Sequence, residues 1–204
     1  IVEKQLVLHK QYEIAKAYIL YRAERNKIRE ENKRQNIEKS LLGQLTVKKR
    51  DGELEPFDIK KIKNTILRAS KGFEKEISVD LITKEVVKSV YDGISTDEIE
   101  KALVLSAAAF IEKDPAYSFV AGRLFLQKLY KEAIGKSISL DALGITYRQA
   151  FVEGIKRGVE KGFLDSRLLE FDLERLSYGL MLERDSLLHY IGIQTLYERY
   201  FVKV

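Results

Sequence analysis

Basic side chains cluster in the segment "VKKRDGELEPFDIKKI", residues 47–62. Three of them precede the turn dipeptide Asp51-Gly52, and two more follow Asp58, a residue type that caps helices. A helix N-terminus offers free amide donors and the positive end of a dipole, so basic groups converging there would neutralise an anion carrying roughly three to four charges. The pattern indicates a triphosphate site, with Glu55 and Asp58 available as acceptors for a base amino group or a sugar hydroxyl. No Gly-x-x-x-x-Gly-Lys motif occurs, so the site is predicted to bind a nucleotide without hydrolysing it, as a sensor does.

An ion-paired hairpin is the alternative explanation for the same charge. A two-residue turn at Asp51-Gly52 would bring opposite charges together across two strands, each pair contributing roughly a few tenths of a kcal/mol. The expected pairs are Arg50 with Glu53 and Lys48 with Glu55. This hypothesis leaves Lys49 on the opposite face of the hairpin and gives no role to Lys61 or Lys131. Spacing alone does not decide between the two interpretations.

Composition restricts the class of protein. Of the 204 residues, 45% are hydrophobic and 33% charged, with a net charge of +5, values that fit a globular protein and do not by themselves indicate nucleic-acid binding. Cysteine is absent, which excludes disulfides, thiolate metal sites and cysteine nucleophiles from this chain. The longest apolar run, "LVLSAAAF", is far shorter than the roughly 18 residues that span a bilayer. We expect a cytoplasmic location.

The segment from residue 43 to 136 is predicted to form one hairpin followed by four helices. Its strands are "LTVKKR" and "ELEPF", and Asp58, Ser78 and Ser95 are the predicted N-caps of the first three helices. Asp114-Pro115 separates the third helix from the fourth. The predicted helices span residues 58–72, 78–90, 95–113 and 116–133. The fold class is therefore α+β, mainly α.

Both flanks of this unit are predicted to be helical. Tyr12–Arg34 is expected to form a helix that changes from apolar to charged, and the following "QNIEKSLLGQ" is expected to be a linker. Residues 12–21 superpose weakly on residues 117–126, so the beginning of the chain indicates the last helix of a preceding copy of the same unit. From residue 147 the chain is helical again, including the stretch "LERLSYGLMLERDSLLHYIGIQTLYERYF". We expect the chain to be a piece of a longer protein.

Three ordered blocks carry a resemblance to a known family. The blocks "VKKRDGELEPFDIKKI", "GISTDEIEKAL" and "DPAYSFVAGRLFLQKLYKE" resemble the signature of the ATP-cone, a nucleotide-sensing domain of ribonucleotide reductase large subunits. Residues 147–201 are similar to the short helical domain that opens the catalytic subunit of these enzymes. The resemblance implies a preceding cone's last helix and a charged linker at 1–39, an ATP-cone at 40–137, with a β-hairpin or small sheet capping a four-helix bundle, and a helical N-terminal domain at 138–204.

The resemblance also implies which residues bind the nucleotide. By similarity, Lys49, Arg50, Lys61 and Lys131 contact phosphates, Glu55 and Asp58 face the adenine and sugar, and Thr96 lies at a helix start near the nucleotide. The apolar walls around the base would be Val47, Phe57, Ile62 and Ile99. Glu100 stands where some family members have a histidine near the phosphates, and a carboxylate there would repel phosphate unless it is neutralised or turned away.

The implied function is allosteric control of a ribonucleoside-diphosphate reductase, an oxidoreductase of deoxyribonucleotide synthesis. ATP and dATP would be the effectors, accompanied by Mg²⁺, with ATP keeping the enzyme active and dATP favouring an inhibited oligomer. The implied partners are the remainder of the large subunit, other large subunits and a radical-generating small subunit. The family's radical chemistry needs cysteines, so we expect no catalytic residue here and no activity from this chain alone.

Two other classes of function stay open. The basic helix at residues 22–34, followed by the basic hairpin, could follow the phosphates of a nucleic acid. A cone-bearing repressor of reductase genes is disfavoured, because that family reads DNA through a four-cysteine zinc ribbon. A purely structural assembly segment with a degenerate cone is the other alternative.

The remaining polar residues are assigned structural roles. His9 and His189 have no ligand-like neighbours in the sequence, so we expect no metal site. Glu183 and Asp185 are interpreted as helix-surface ion pairs with Arg184 rather than as an acid/base pair. Four aromatic residues near the end of the chain are expected to be core or to face another domain; they are Tyr190, Tyr197, Tyr200 and Phe201.

Overall fold

The computed structural model describes residues 2–41, 45–134 and 140–201. The chain divides into two compact units, one formed by residues 1–59 with 87–95 and the other by residues 60–86 with 96–204. The described residues are mainly helical, with a three-stranded sheet in the first unit, which confirms the predicted α+β class. None of the helices in these ranges is both long and apolar enough to cross a membrane.

Two helices begin the first unit, α1 (Val2–Leu8) and α2 (Tyr12–Leu41). The helix predicted from Tyr12 is present, but it continues beyond Arg34, so the predicted linker is wrong over residues 35–41. Residues 35–41 contain no Gly or Pro, and four of the seven are the good helix formers Gln, Glu, Lys and Leu. This helix propensity prevails over the polar composition of the stretch. The rest of the predicted linker, residues 42–44, lies outside the described residues.

The sheet of the first unit has the strand order β2-β1-β3. Strands β1 (Thr46–Lys48) and β2 (Leu54–Pro56) are antiparallel and form the predicted hairpin. Strand β3 (Ile94–Ser95) pairs with β1 in parallel, Val47 opposite Ile94. A two-residue strand has no periodicity of its own, so the residue pattern predicted only the hairpin, whereas the family resemblance allowed a small sheet.

The hairpin turn contains three residues rather than two. The amide of Lys49 donates to the carbonyl of Glu53 at 2.8 Å, and the amide of Gly52 donates back to the carbonyl of Lys49 at 3.0 Å. Gly52 has a φ of 90°, the left-handed conformation that closes such a three-residue loop. The extra loop residue shifts the register, so that Glu55 lies opposite Val47 and Leu54 opposite Lys48. The predicted cross-strand positions, Arg50 opposite Glu53 and Lys48 opposite Glu55, are therefore wrong.

The second unit contains most of the remaining helices. Their bounds are α3 (Ile59–Ala69), α4 (Val79–Ser89), α5 (Thr96–Ala108), α6 (Ala116–Ile134), α7 (Leu140–Glu160), α8 (Leu173–Tyr178) and α9 (Tyr190–Arg199), with 3-10 helices at Ser166–Glu170 and Leu182–Leu187. Helices α3 to α6 confirm the four helices predicted between residues 58 and 133. The start of α4 also carries its predicted cap, because the Ser78 hydroxyl accepts from the amide of Leu81 at 3.3 Å.

Three helix boundaries differ from the prediction. Helix α5 ends at Ala108, with turns before Asp114-Pro115, and α7 begins before Tyr147. The predicted continuous helix from Leu173 is broken into α8, a 3-10 helix and α9, because α8 stops at Gly179 and the backbone is extended at Leu188 and His189. Apolar spacing at helical intervals continues across these breaks, so periodicity alone did not show them.

The core of the second unit is closed around α6. Ile66, Ile82 and Val120 are fully buried, and α5 packs against α6. Arg123 of α6 donates to the carbonyl of Ala69 at 2.8 Å, which satisfies a backbone acceptor at the end of α3. This packing fixes the positions of the charged side chains on α5 and α6.

Candidate functional site

Lys49 forms ion pairs within the hairpin. Its ammonium lies 3.3 Å from a carboxylate oxygen of Glu55 and 3.5 Å from one of Glu53. The hydrogen bond and charge of Glu55, with a smaller contribution from Glu53, raise the pKa of Lys49. The prediction that Lys49 lies on the opposite face from the ion pairs is wrong, and the register shift is the reason. The structure thus brings together Lys49 and Glu55, two of the predicted site residues.

The other predicted residues of the first unit differ in exposure. Val47 and Phe57 are buried, and Arg50 is exposed in the three-residue turn. Asp58 is partly exposed directly before α3. Their contacts with a nucleotide stay a prediction.

Asp92 anchors the start of β1 and was missed by the sequence analysis. One of its carboxylate oxygens accepts from the Thr46 amide at 2.8 Å and from the Thr46 hydroxyl at 2.7 Å. Both hydrogen bonds lower the pKa of Asp92. The next residue, Gly93, has a φ of 77° and donates its amide to the Thr46 carbonyl at 2.9 Å. The Asp-Gly dipeptide before an apolar residue was a turn signal that could have indicated this junction.

In the second unit, Lys131 of α6 pairs with Glu100 of α5. The ammonium of Lys131 donates to a Glu100 carboxylate oxygen at 2.7 Å. The side chain of Glu100 is 15% exposed and that of Lys131 is 38% exposed, so this ion pair is reachable from solvent. The predicted site residues Ile62 and Ile99 are buried, Lys61 is exposed on α3, and Thr96 is the first residue of α5.

Lys128, one helical turn before Lys131, is a buried charge that the sequence analysis missed. Its side chain is 5% exposed, lies 3.2 Å from Asp97 and forms a second ion pair with Glu132. Burial alone would lower the pKa of Lys128, but the hydrogen bonds to Glu132 and Asp97 outweigh it and the pKa is raised. Asp97 also pairs with Lys101 at 2.7 Å, and these two lysines lower its pKa. Lys128 follows Leu124 and Phe125 at helical spacing on the apolar face of α6, and this position could have indicated a buried lysine.

Helix α6 also packs closely on α9. At Gly122 a β-carbon would lie 2.9 Å from the carbonyl oxygen of Leu188 and 3.2 Å from the amide of Tyr190, so the two backbones touch. Phe119 lies against the ring of His189, with 4.0 Å between centroids. Phe125 contacts two of the four aromatic residues that were predicted to be core or to face another domain, Tyr190 and Tyr197. Tyr200 and Phe201, included in the same prediction, are exposed.

Asp185 joins α6 to α7. Its carboxylate accepts from the hydroxyl of Tyr130 at 2.7 Å and from that of Tyr147 at 3.0 Å. Burial, followed by the charge and hydrogen bond of Asp185, raises the pKa of Tyr147 to about 12, and the same causes raise the pKa of Tyr130 further. The interpretation of Asp185 as a surface ion-pair partner of Arg184 is therefore corrected: the carboxylate acts as an acceptor for two half-buried phenols.

Comparison with known proteins identifies the domain. Residues 45–132 match the family model of the ATP cone domain. These residues form an ATP cone. The matched residues lie within the predicted range of 40–137 and include the ion pairs of Lys49, Lys128 and Lys131 described above.

The chain as a whole is similar to part of the alpha subunit of ribonucleoside-diphosphate reductases. It is 36% identical over 204 residues to the Chlamydia pneumoniae protein, an alignment that covers 98% of this chain and 19% of that relative. It is 36% identical over 162 residues to the Helicobacter pylori protein, covering 78% of this chain, and 27% identical over 164 residues to subunit 1 alpha of Escherichia coli K12. The chain thus spans about a fifth of the length of these relatives. The resemblance predicted from the three sequence blocks is confirmed.

Proposed function

We propose that this chain is the nucleotide-sensing regulatory region of a ribonucleoside-diphosphate reductase large subunit. ATP or dATP binds in the cone, and the bound nucleotide controls the overall activity of the enzyme in deoxyribonucleotide synthesis. The observation that carries this proposal is the ATP cone at residues 45–132, within a chain similar along its length to reductase alpha subunits.

The proposed nucleotide contacts are the residues predicted from the sequence. The phosphate ligands are Lys49, Arg50, Lys61 and Lys131. The polar groups of the base and sugar form hydrogen bonds with Glu55, Asp58 and Thr96. The apolar contacts with the base are made by Val47, Phe57, Ile62 and Ile99. Four cationic groups match the charge of a triphosphate, with Mg²⁺ accompanying the nucleotide. The absence of Cys from all 204 residues supports a regulatory rather than a catalytic role, because thiol chemistry has to come from elsewhere in the large subunit.

Helix α6 couples nucleotide binding in the cone to the helices that follow it. This helix carries Lys131 and also packs on α9 through Gly122 and Phe125. A displacement of α6 therefore requires movement or repacking of α9, which is the physical requirement for coupling between a binding site and a second state. We propose that the remainder of the large subunit, other large subunits and a radical-generating small subunit respond to this change in the cytoplasm.

Calorimetric titration with ATP, dATP and GTP tests the proposal. We expect adenine-nucleotide binding in the micromolar range, no binding of GTP, and at least a tenfold loss of affinity in Lys61→Ala, on the order expected for one charge-assisted phosphate contact. Lys75→Ala removes an exposed lysine outside the proposed site and serves as the charge-matched control. The absence of adenine-nucleotide binding would refute the proposal.

A groove along α2 favours a second candidate function. It is lined by Tyr18, Tyr21, Arg22, Arg25, Asn26 and Arg29. Aromatic rings beside arginines suit the stacked bases and phosphates of single-stranded nucleic acid. Anisotropy of a labelled oligonucleotide, measured against salt concentration, would support this function by a steep salt dependence that Arg25→Ala with Arg29→Ala weakens.

A further inference from the structure

Lys128 and Lys131, on the last turns of α6, differ in their exposure to solvent. Lys128 is almost completely buried and is balanced by Asp97 and Glu132. Lys131 is 38% exposed, and its ammonium pairs with Glu100 of α5. A phosphate approaching from solvent can reach the ammonium of Lys131, whereas that of Lys128 is closed off. Lys131 is therefore the lysine of this pair whose carboxylate partner can be exchanged for a ligand.

We infer that Glu100 is an affinity-setting residue of the cone, which holds the Lys131 ammonium in competition with the phosphates of the nucleotide. This inference rests on the proposed function. A phosphate that binds Lys131 must replace a charge-assisted hydrogen bond of 2.7 Å, and it then lies beside a carboxylate that is only 15% exposed. Both effects oppose binding, and the repulsion by the carboxylate grows with the negative charge that the ligand brings.

The hairpin of the first unit shows the same arrangement. There the ammonium of Lys49 lies 3.3 Å from Glu55 and 3.5 Å from Glu53, with 37% of its side chain exposed. Two of the proposed phosphate ligands are thus each held by a carboxylate in an accessible ion pair. Such pairs are weak in water and exchange readily, so they lower affinity without closing the site.

Removing the Glu100 charge tests the inference. We expect Glu100→Gln to bind ATP about fivefold more tightly than the unmodified chain, on the scale of one partly exposed ion pair. The gain should be smaller for AMP and absent for adenosine, because it depends on phosphate charge. Glu100→Asp, which keeps the charge, should bind ATP like the unmodified chain.

The controls separate this inference from the proposed function. Glu112→Gln removes an equal charge from an exposed position beyond the end of α5 and should leave affinity unchanged, and Lys131→Ala should weaken ATP binding about tenfold. Glu100→Ala repeats the charge removal if the glutamine variant does not fold, with folding checked by circular dichroism. If the unmodified chain binds ATP but Glu100→Gln and Glu100→Ala bind equally or more weakly, Glu100 orients Lys131 instead and the inference is wrong, while the proposed function stands. If neither the unmodified chain nor the Glu100 variants bind adenine nucleotides, both are wrong.

Discussion

Lys128 shows how a full charge is accommodated inside the cone. An unpaired ammonium at this depth would lose most of its hydration, a cost that exceeds the stability of many small domains. Asp97 and Glu132 prevent that by approaching from α5 and from the following turn of α6. The ring of Tyr197 lies 6.0 Å from the same ammonium. One side chain therefore links three helices, and its charge must stay balanced for them to pack.

We predict that removing both carboxylates destabilises the fold. Asp97→Asn with Glu132→Gln should lower the free energy of unfolding by about 3 kcal/mol, because a buried charge is left uncompensated. Adding Lys128→Met removes that charge while keeping the packing of the stem, and should recover most of the loss. Urea denaturation compares the free energy of unfolding of these two variants with that of the unmodified chain. Equal stability of the double variant and the unmodified chain would show that Lys128 does not depend on these carboxylates.

The helix α6 connects the cone to the helices that follow it. Its backbone meets that of Leu188 and Tyr190 at Gly122, a contact that no other amino acid permits without movement of the chain. The same helix carries Phe125 against α9 and Tyr130 against Asp185. Because main-chain atoms cannot rotate away as side chains do, this contact transmits displacement rather than absorbing it.

We predict opposite effects for two glycine substitutions in helices. Gly122→Ala should lower stability by about 1–3 kcal/mol, the usual cost of overpacking, because its β-carbon would lie 2.9 Å from a backbone oxygen. Gly154→Ala in α7, where a β-carbon meets nothing within 4 Å, should raise stability by about 1 kcal/mol through helix propensity. Thermal unfolding followed by circular dichroism compares the two. If both variants gained stability, the close approach of α6 and α9 would be disproved.

The elements could be predicted where a local signal exists. Apolar periodicity and the cap at Ser78 gave α3 to α6, and the dipeptide Asp51-Gly52 gave the hairpin. The register of β1 against β2 could not be predicted, because the same sequence is compatible with a two-residue or a three-residue turn containing Gly52. Strand β3 depends on pairing with β1 rather than on its own two residues.

The sequence indicated which residue types the candidate site would need, but not which side chains they contact. The cluster of lysines indicated phosphate, yet ion pairs such as Lys131 with Glu100 join residues 31 positions apart, which no spacing rule connects. Asp185 was assigned to the wrong partner because its tyrosine contacts come from α6 and α7, far away in the sequence.

At the scale of the whole molecule, alkaline pH should weaken the fold through two tyrosines. The pKa of Tyr147 is raised from 10.0 to about 12, and that of Tyr130 is raised as well. Below pH 10 both groups are protonated in the folded and unfolded chain, so they add no pH dependence. Between pH 10 and 12 the unfolded chain releases these protons while the folded chain retains them, so the free energy of unfolding falls as pH rises.

We predict that Tyr130→Phe with Tyr147→Phe flattens this alkaline loss of stability. The chain has 11 Tyr and no Trp, so the ultraviolet absorbance of tyrosinate reports the titration directly, and urea denaturation at each pH reports the stability. In the double variant, the absorbance change of the tyrosines with the highest pKa values should be missing. An unchanged slope of stability against pH would show that Asp185 does not hold these two phenols in their neutral form.

The contact at Gly122 also limits how this cone can be moved into another protein. A chimaera cut after α6 would transplant a helix whose glycine is shaped to the backbone of Leu188 and Tyr190, and would set it against a foreign chain. A graft that carries the α9 segment together with α6 preserves this fit. A segment that is transferred with this contact intact is therefore longer than the cone itself.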